Sequence, residues 1–168
     1  MSYTVIDDID RALLGALQKD ASLSVDDLSE RVHLSRNACW RRIKRLEEAG
    51  IIRARVALLD AAKLNLGLTA FIAVRTAHHE AGWLEKFSAA VRDIPEIVGV
   101  YRMTGDVDYL LRVVVPDIAA YDAFYKRLIA KIEIRDVSSS FAMEQIKYTT
   151  EMPLDYMLLD KESGSNAA

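Results

Sequence analysis

Residues 34–50 read Leu-Ser-Arg-Asn-Ala-Cys-Trp-Arg-Arg-Ile-Lys-Arg-Leu-Glu-Glu-Ala-Gly, and this stretch decides the fold of the first part of the chain. Apolar residues recur in it at the spacing of one helix face, at Cys39, Ile43 and Leu46. Ser35 is a favourable N-cap, and Gly50 is a favourable helix stop. The stretch therefore predicts a short helix with one buried stripe and a polar remainder.

The polar remainder of this predicted helix is strongly basic. Between Ser35 and Leu46 there are five basic side chains and no acidic one, although the whole chain has a net charge of −3. Residues 1–60 hold ten basic and ten acidic residues, so the negative excess lies in residues 61–168. Because the distribution of charge marks a nucleic-acid footprint better than its total, the helix is predicted to contact DNA. The alternative is a solvated basic face with no partner.

Two further helices are predicted before the basic one. Asp7 can cap a helix over residues 7–19, and Ser24 with Asp27 has the form of a capping box that opens the second helix. His33 and Leu34 then form the turn into the basic helix. A helix, a short turn and a basic helix make the order of a helix-turn-helix.

The candidate DNA contacts lie on the polar side of the basic helix and just after it. The paired hydrogen bonds of asparagine suit adenine and those of arginine suit guanine, so the base-edge candidates are Arg36, Asn37 and Arg41. The candidates for the phosphate and sugar backbone are Ser35, Trp40, Arg42, Lys44 and Arg45, although Trp40 could instead pack on the first helix. Residues 51–58 predict a β-wing or linking strand, from which Arg53 and Arg55 clamp phosphates or merely aid solubility.

The rest of the chain alternates strand and helix patterns. Strands are predicted over residues 68–76, 97–104, 109–115 and 137–147, and helices over 81–93 and 117–131. This β-α-β-β-α-β order is that of a ferredoxin-like unit. The fold class is therefore α+β, with an N-terminal winged helix-turn-helix domain (1–59), a linker (60–67), a C-terminal ferredoxin-like domain (68–152) and a tail (153–168). The last residues, from Lys161, are predicted to be disordered.

Two polar clusters in the second half have alternative interpretations. Gly105-Asp106-Val107-Asp108 is either ordinary turn chemistry or a polar lip for the ammonium group of an amino acid, with hydroxyls of Ser138–Ser140 for its carboxylate. His78 and His79 are adjacent on a strand end and would point apart, which suits one metal ion poorly.

Nothing in the sequence indicates catalysis. There is no glycine-rich phosphate loop, no Ser-His-Asp set and no nucleophile elbow. The single cysteine, Cys39, falls on the buried stripe and is predicted to pack as a small hydrophobe. We therefore predict no enzyme activity, no cofactor and no metal site.

Three separated motifs, in order, resemble the Lrp/AsnC (feast/famine) family of transcriptional regulators. The first is Asp7-x-x-Asp10-Arg11 followed by Leu17-Gln18-Lys19-Asp20. The second is Leu34-Ser35 with Cys39, Arg42, Arg45-Leu46-Glu47 and Gly50-Ile51-Ile52. The third is Thr104-Gly105-Asp106-Val107-Asp108-Tyr109-Leu110-Leu111. The resemblance covers residues 5–150.

The resemblance implies a cytoplasmic regulator that binds double-stranded DNA and is modulated by a small amino acid. Its regulatory domains would pack sheet to sheet into dimers, and dimers would ring into tetramers or octamers, with no membrane partner. The effector would bind between dimers near the glycine-aspartate loop, which gives the effector candidates Met103, Thr104, Gly105, Asp106, Asp108, Ser139 and Ser140.

Finer features of the resemblance bear on the effector and on the assembly. Segments 121–128 and 138–150 look like the branch associated with cysteine degradation, so cysteine is the first effector candidate and leucine-like amino acids are the second. His33 stands where glycine is usual, which predicts a left-handed backbone there. Residues 130–133 replace the family's usual Pro-Gly, which leaves the number of subunits in the ring open.

Two rival interpretations of the sequence stay open. One is an architectural protein that wraps DNA without an effector, and the other is an enzyme or metabolite-binding module.

Overall fold

The computed structural model describes residues 6–76, 81–132 and 134–158 and divides the chain into two compact units. The helical unit comprises residues up to 58 together with residues from 147 onward, and the sheet unit comprises residues 59–146. The C-terminal segment thus belongs with the first helices, and the predicted linker 60–67 belongs with the sheet. His78, His79 and the tail from Lys161 lie outside the described residues.

The helical unit contains the three predicted helices, α1 (Asp8–Leu17), α2 (Val25–Arg31) and α3 (Arg36–Glu48). Local side chains fix where each begins. The first two helices carry reciprocal capping boxes, Asp7 with Asp10 and Ser24 with Asp27. The Ser35 side chain accepts a hydrogen bond from the backbone N–H of Ala38. Each of these caps satisfies backbone donors that a helix start leaves open.

The three helices enclose a small apolar core. It is built from Leu13, Leu17, Leu28, Cys39 and Ile43. Cys39 is fully buried, and burial raises the pKa of its thiol. The predicted packing role of Cys39 is confirmed, since a buried neutral thiol behaves as a small hydrophobe.

The turn between α2 and α3 has the predicted left-handed residue. His33 has φ 53°, and the next residue, Leu34, donates its N–H to the carbonyl oxygen of Ser29 at 3.0 Å. This bond closes the end of α2, and the chain can then enter α3 at Ser35. The geometry suits glycine better than histidine, because a Cβ is crowded in the left-handed region.

The sheet unit contains β1 (Leu68–Arg75), α4 (Ala81–Arg92), β2 (Ile97–Arg102), β3 (Tyr109–Val115), α5 (Ile118–Lys131) and β4 (Asp136–Phe141). The four strands form one antiparallel sheet in the order β2-β3-β1-β4. This is the predicted ferredoxin-like arrangement. Asp117 caps α5 by accepting the N–H of Ala120 at 2.8 Å.

Both helices of the sheet unit pack on one face of the sheet. Alternate residues of the central strands, such as Ile72 in β1 and Leu111 in β3, are fully buried against Phe87 of α4 and Phe124 of α5. Successive residues of a strand point to opposite faces. The residues between the buried ones therefore line a second face, which no helix covers in the described part of this unit.

Two strand predictions are wrong: one strand is shorter than predicted, and the other does not form. The last strand was expected to run to residue 147, but β4 ends at Phe141, which faces Ala70 close to the start of β1. One further hydrogen bond, from the Ala142 N–H to the Thr69 carbonyl oxygen at 2.9 Å, follows this pair, and the strand does not continue beyond it. Residues 51–58, predicted to be a β-wing or linking strand, also lie outside any β-ladder of the described chain. A strand needs a hydrogen-bonding neighbour, so a strand-like sequence alone does not make one.

None of the helices in residues 6–76, 81–132 and 134–158 has the length and apolar character needed to cross a membrane.

Candidate nucleic-acid interface and effector loop

The exposed side of α3 carries most of the predicted DNA-binding residues. The stripe Cys39, Ile43 and Leu46 is buried. The exposed residues between Arg36 and Arg45 are Arg36, Asn37, Trp40, Arg41, Lys44 and Arg45, and Glu48 is exposed in the last turn. One helix thus presents a continuous polar surface with a single aromatic residue, Trp40, whose accessibility is 51%.

The exposed residues differ in what they already bind. Arg36 pairs with Asp26 at 3.2 Å, and Lys44 pairs with Glu47 at 2.8 Å. In residues 6–76, by contrast, the side chains of Asn37 and Arg41 have no hydrogen-bond or ion-pair partner. These two side chains lie in the first half of the helix, and their donors are available to a ligand.

Arg42 and Arg45 take part in an ion-pair cluster with α1. Arg42 Nη1 lies 2.7 Å from Asp7 Oδ2 and 3.0 Å from Asp10 Oδ1, and Arg45 Nη2 bonds Asp10 Oδ2. The Asp10 side chain is 0% exposed. A buried carboxylate is tolerated only when it is paired and hydrogen-bonded. The cluster therefore fixes α3 against α1.

The protonation of Asp7 reflects this cluster. Burial by itself would raise the pKa of Asp7, but the hydrogen bond from the Asp10 N–H and the Arg42 guanidinium outweigh it and hold the pKa below its ordinary value. Asp7 is thus charged at neutral pH and serves two purposes, as the cap of α1 and as a ligand of Arg42.

The two arginines after α3 are in different situations. Arg55 lies 3.2 Å from Glu47 on the last turn of α3. Glu47 also accepts the Lys44 ammonium, and these two cations lower its pKa, the Lys44 hydrogen bond most. Arg53 has no ion-pair partner in the described part of the helical unit. The structure therefore places Arg55 beside α3 and leaves the Arg53 charge uncompensated.

The glycine-aspartate loop between β2 and β3 is tied to the end of β1. Asp108 Oδ2 accepts the N–H of Thr76 at 2.8 Å, and the Asp106 carbonyl oxygen accepts from Arg75 Nε at 2.7 Å. Gly105 has φ +101°, which only glycine adopts readily. The Asp108 carboxylate is thus already part of the loop structure. The Asp106 carboxylate is exposed and has no partner in the described residues.

The structure does not bring the two predicted serines to this loop within one chain. Ser139 faces Ile72 on the helix side of the sheet and is bonded to Tyr121, whereas Ser140 faces Phe71 on the opposite side. Asp136, which pairs with Arg75 at 2.7 Å, is the β4 residue beside the loop. At roughly 3.3 Å per residue, Ser139 lies about 10 Å further along the strand.

Arg75 and Asp136 were missed by the sequence reasoning. The signal available was a charged residue that ends an apolar strand, which by itself indicates only a strand boundary. The cluster of Asp7 and Asp10 with Arg42 was also missed, because the acidic and basic residues lie more than thirty positions apart in sequence.

Comparisons with known proteins place this geometry in a family. Residues 6–53 match the winged helix-turn-helix DNA-binding family, and residues 69–152 match the Lrp/AsnC ligand binding domain. The chain is 51% identical over 152 residues to the DNA-binding transcriptional activator DecR of Escherichia coli, covering 90% of this chain and 100% of that protein.

Two solved structures are similar over nearly their whole length. One is an AsnC family transcriptional regulator from Agrobacterium tumefaciens, with TM-score 0.89, 65% identity and coverage of 91% of this chain and 100% of that one. The other is a transcriptional regulator from Neisseria meningitidis in complex with L-Met, with TM-score 0.87, 40% identity and coverage of 92% and 100%.

A helix-turn-helix followed by a ligand-binding α+β domain defines a DNA-binding transcriptional regulator rather than an enzyme. The chain belongs to the Lrp/AsnC family of transcriptional regulators.

Proposed function

We propose that this regulator reads DNA with the first half of α3 and that a small amino acid bound at the glycine-aspartate loop modulates its DNA binding or its assembly. The observation that carries the DNA-reading part is the exposed, unpaired state of Asn37 and Arg41 on a capped helix. A helix of this type enters the major groove with its first turns toward the bases.

The candidate DNA-contact residues then divide into three groups by the part of the molecule that each one contacts. Asn37 and Arg41 contact base edges, with Arg36 beside them once it leaves Asp26. Ser35, Trp40, Lys44, Arg45, Arg53 and Arg55 contact the phosphate and sugar backbone. Arg42 acts mainly on the protein side, because both of its acidic partners belong to α1. It positions the recognition helix.

For the effector, the chemistry of the loop favours an amino acid. Asp106 offers an exposed carboxylate for the ammonium group, and the loop backbone around Met103, Thr104 and Gly105 is held in place by Arg75 and Asp108. The neisserial relative is a complex with L-Met. We take cysteine as the first candidate and leucine-like amino acids as the second. Ser139 and Ser140 contribute only if they belong to a site completed by a second subunit.

For the assembly, the helix-free face of the sheet favours a second copy of this chain. Phe71 and Tyr101 on that face are 39% and 56% exposed, and Leu110, Arg112 and Val114 of β3 share it, with Arg112 opposite Phe71. A sheet face that exposes large apolar side chains in this way is normally covered. We propose a dimer through this face and a tetramer or octamer built from dimers, which acts on DNA in the cytoplasm.

A thermal-shift screen against the common amino acids tests the effector proposal. A ligand bound only by the folded protein raises the melting temperature. We expect a selective shift with L-cysteine that is lost in Asp106→Asn and kept in the control Asp93→Asn, which changes an exposed aspartate after α4. A shift with L-leucine would replace cysteine as the effector. No shift with any amino acid would favour the rival function, an architectural protein that wraps DNA without an effector.

A further inference from the structure

The last described residues of the chain lie on helix α1. We call residues 150–158 the C-terminal strap. The Gln18 side chain donates from Nε2 to the Met152 carbonyl oxygen at 3.2 Å and accepts the Met152 N–H on Oε1 at 2.9 Å. One side-chain amide thus pairs with both backbone groups of a residue 134 positions away. Met152 is recognised through its backbone, since its side chain is 69% exposed.

Apolar contacts and one weak ion pair continue the docking. Leu154 Cδ1 lies 3.7 Å from the position that a Cβ on Gly15 would take, so it sits directly over the bare backbone of α1. Asp155 lies 4.0 Å from Arg11, and both are exposed. Between strap and helices is a cavity of about 420 Å³, lined mainly by Leu14, Leu17, Ile51, Met152, Leu154 and Met157.

These contacts are specific but few. The paired amide bonds require one geometry, whereas an exposed ion pair adds little stability. The cavity shows that the apolar side chains do not fill the space beneath the strap. Tyr156 and Leu158 remain 86% and 90% exposed. A segment held in this way docks in one place and can be released without unfolding the core.

The chain passes between the two units twice, so the docked strap can affect how the helical unit is held. The chain passes from the helical unit to the sheet unit after residue 58 and returns before residue 147, five residues after β4 ends. The strap makes the return passage a second attachment, and α1 carries Asp10, which fixes α3 through Arg42 and Arg45.

We propose that the C-terminal strap, held by Gln18, is a positioning element for DNA binding that restricts the orientation of α3 in the assembled protein. Gln18 acts through α1 and touches no DNA. This inference rests on the proposed function for its DNA-binding consequence, whereas the docking itself does not. A dimer presents two α3 helices, and each binds one half of a two-part DNA site. If the strap fixes the orientation of these helices, the dimer should bind tightly only when the two half-sites have the matching spacing.

Hydrogen exchange on the full chain tests the docking. In the wild type the Met152 amide should exchange slowly, and Gln18→Ala should make it exchange at the rate of an open chain. The matched control is Gln145→Ala, which removes an exposed glutamine. A second variant, Gly15→Gln, places a side chain where Leu154 lies while favouring the helix. A Met152 amide that exchanges equally fast in wild type and Gln18→Ala would overturn the docking.

Half-site spacing tests the positioning role. A duplex selected from random DNA by the wild type is compared with the same duplex carrying an insertion of about 5 base pairs, half a helical turn. The insertion should weaken wild-type binding by about tenfold or more and weaken binding of Gln18→Ala and Gly15→Gln by less than about threefold. Affinity for a single half-site should stay unchanged in all of them, which a merely destabilised DNA-binding unit would not show.

The outcomes separate the two proposals. Variants that lose Met152 protection but keep the wild-type spacing preference would overturn the positioning role. A wild type that binds selected and scrambled DNA equally would contradict the proposed function and remove the positioning role with it, while the exchange of the Met152 amide would still decide whether the strap docks.

Discussion

Asp10 is the residue on which the placement of α3 depends most. It is completely buried, and its two oxygens are shared between Arg42 and Arg45. Its position in a capping box is visible in the sequence, but its arginine partners are not, because only the packing of α1 on α3 brings them together. The sequence thus predicts the cap, whereas the ion-pair cluster emerges from the fold.

Replacing Asp10 with asparagine should lower the free energy of unfolding by about 3 kcal/mol. This is the lower end of the range for a broken buried ion pair, because Arg42 and Arg45 keep some contact with water. Urea denaturation measures the change. The control, Asp26→Asn, breaks the exposed pair with Arg36 and should cost less than about 1 kcal/mol. Equal losses in the two variants would show that the cluster contributes little.

Asp7 should make stability depend on pH in the acid range. Its folded-state pKa is lowered, so its stabilisation is fully present above the unfolded pKa, near the ordinary 3.8. That stabilisation is lost as the pH falls through the lower folded-state pKa. In Asp7→Asn the free energy of unfolding should therefore fall less steeply below about pH 4. An unchanged slope in Asp7→Asn would refute the assignment.

Arg41→Ala should weaken binding to a selected DNA site by about 1–3 kcal/mol, as is typical for the loss of a base contact. Fluorescence anisotropy gives the affinity. Arg92→Ala, on the exposed part of α4, is the control and should bind as the wild type does. If Arg41→Ala weakens binding equally on all DNA sequences, Arg41 contacts phosphate and not a base.

At the scale of elements, local signals predict where helices begin better than where strands end. Asp7, Ser24 and Ser35 cap their helices as expected, because a cap needs only neighbouring residues. β4 is shorter than its sequence predicts, because a strand lasts only as far as its pairing, and its partner β1 lies far away in the sequence. Residues 51–58 have a strand-like sequence but no β-ladder partner in the described chain.

The turn between α2 and α3 offers a test at this scale. His33→Gly should raise the free energy of unfolding by up to about 1 kcal/mol, because glycine adopts a positive φ without a Cβ clash. Thermal or urea denaturation measures it. His33→Ala keeps the Cβ and should bring no gain, and a gain of equal size in both variants would mean that the histidine ring, and not the backbone, is unfavourable.

At the scale of the whole molecule, the uncovered sheet face determines the assembly that we propose. The alternation of buried and exposed residues in β1 and β3 is predictable from sequence, but which face the helices leave open follows only from the chain's path. The candidate effector site is less predictable still. The loop is recognisable, whereas its anchoring by Arg75 and the separation of Ser139 from it are not.

Phe71→Glu should dissociate the dimer, because it replaces a large apolar side chain of the helix-free face with a carboxylate that must lose its hydration on association. Light scattering after size-exclusion chromatography measures the mass. Ile118→Glu is the matched control, since Ile118 is 58% exposed at the start of α5, away from that face. An unchanged mass in Phe71→Glu, with the fold intact by circular dichroism, would mean that the chain assembles through another surface.

The most direct measurement is the affinity of the wild type for a selected duplex and for a scrambled one, each with and without L-cysteine, by fluorescence anisotropy. We expect the selected duplex to bind at least about a thousandfold more tightly, and we expect L-cysteine to change that affinity. Equal affinity for both duplexes, unaffected by L-cysteine or any other amino acid, would contradict the account and indicate an architectural DNA-binding protein.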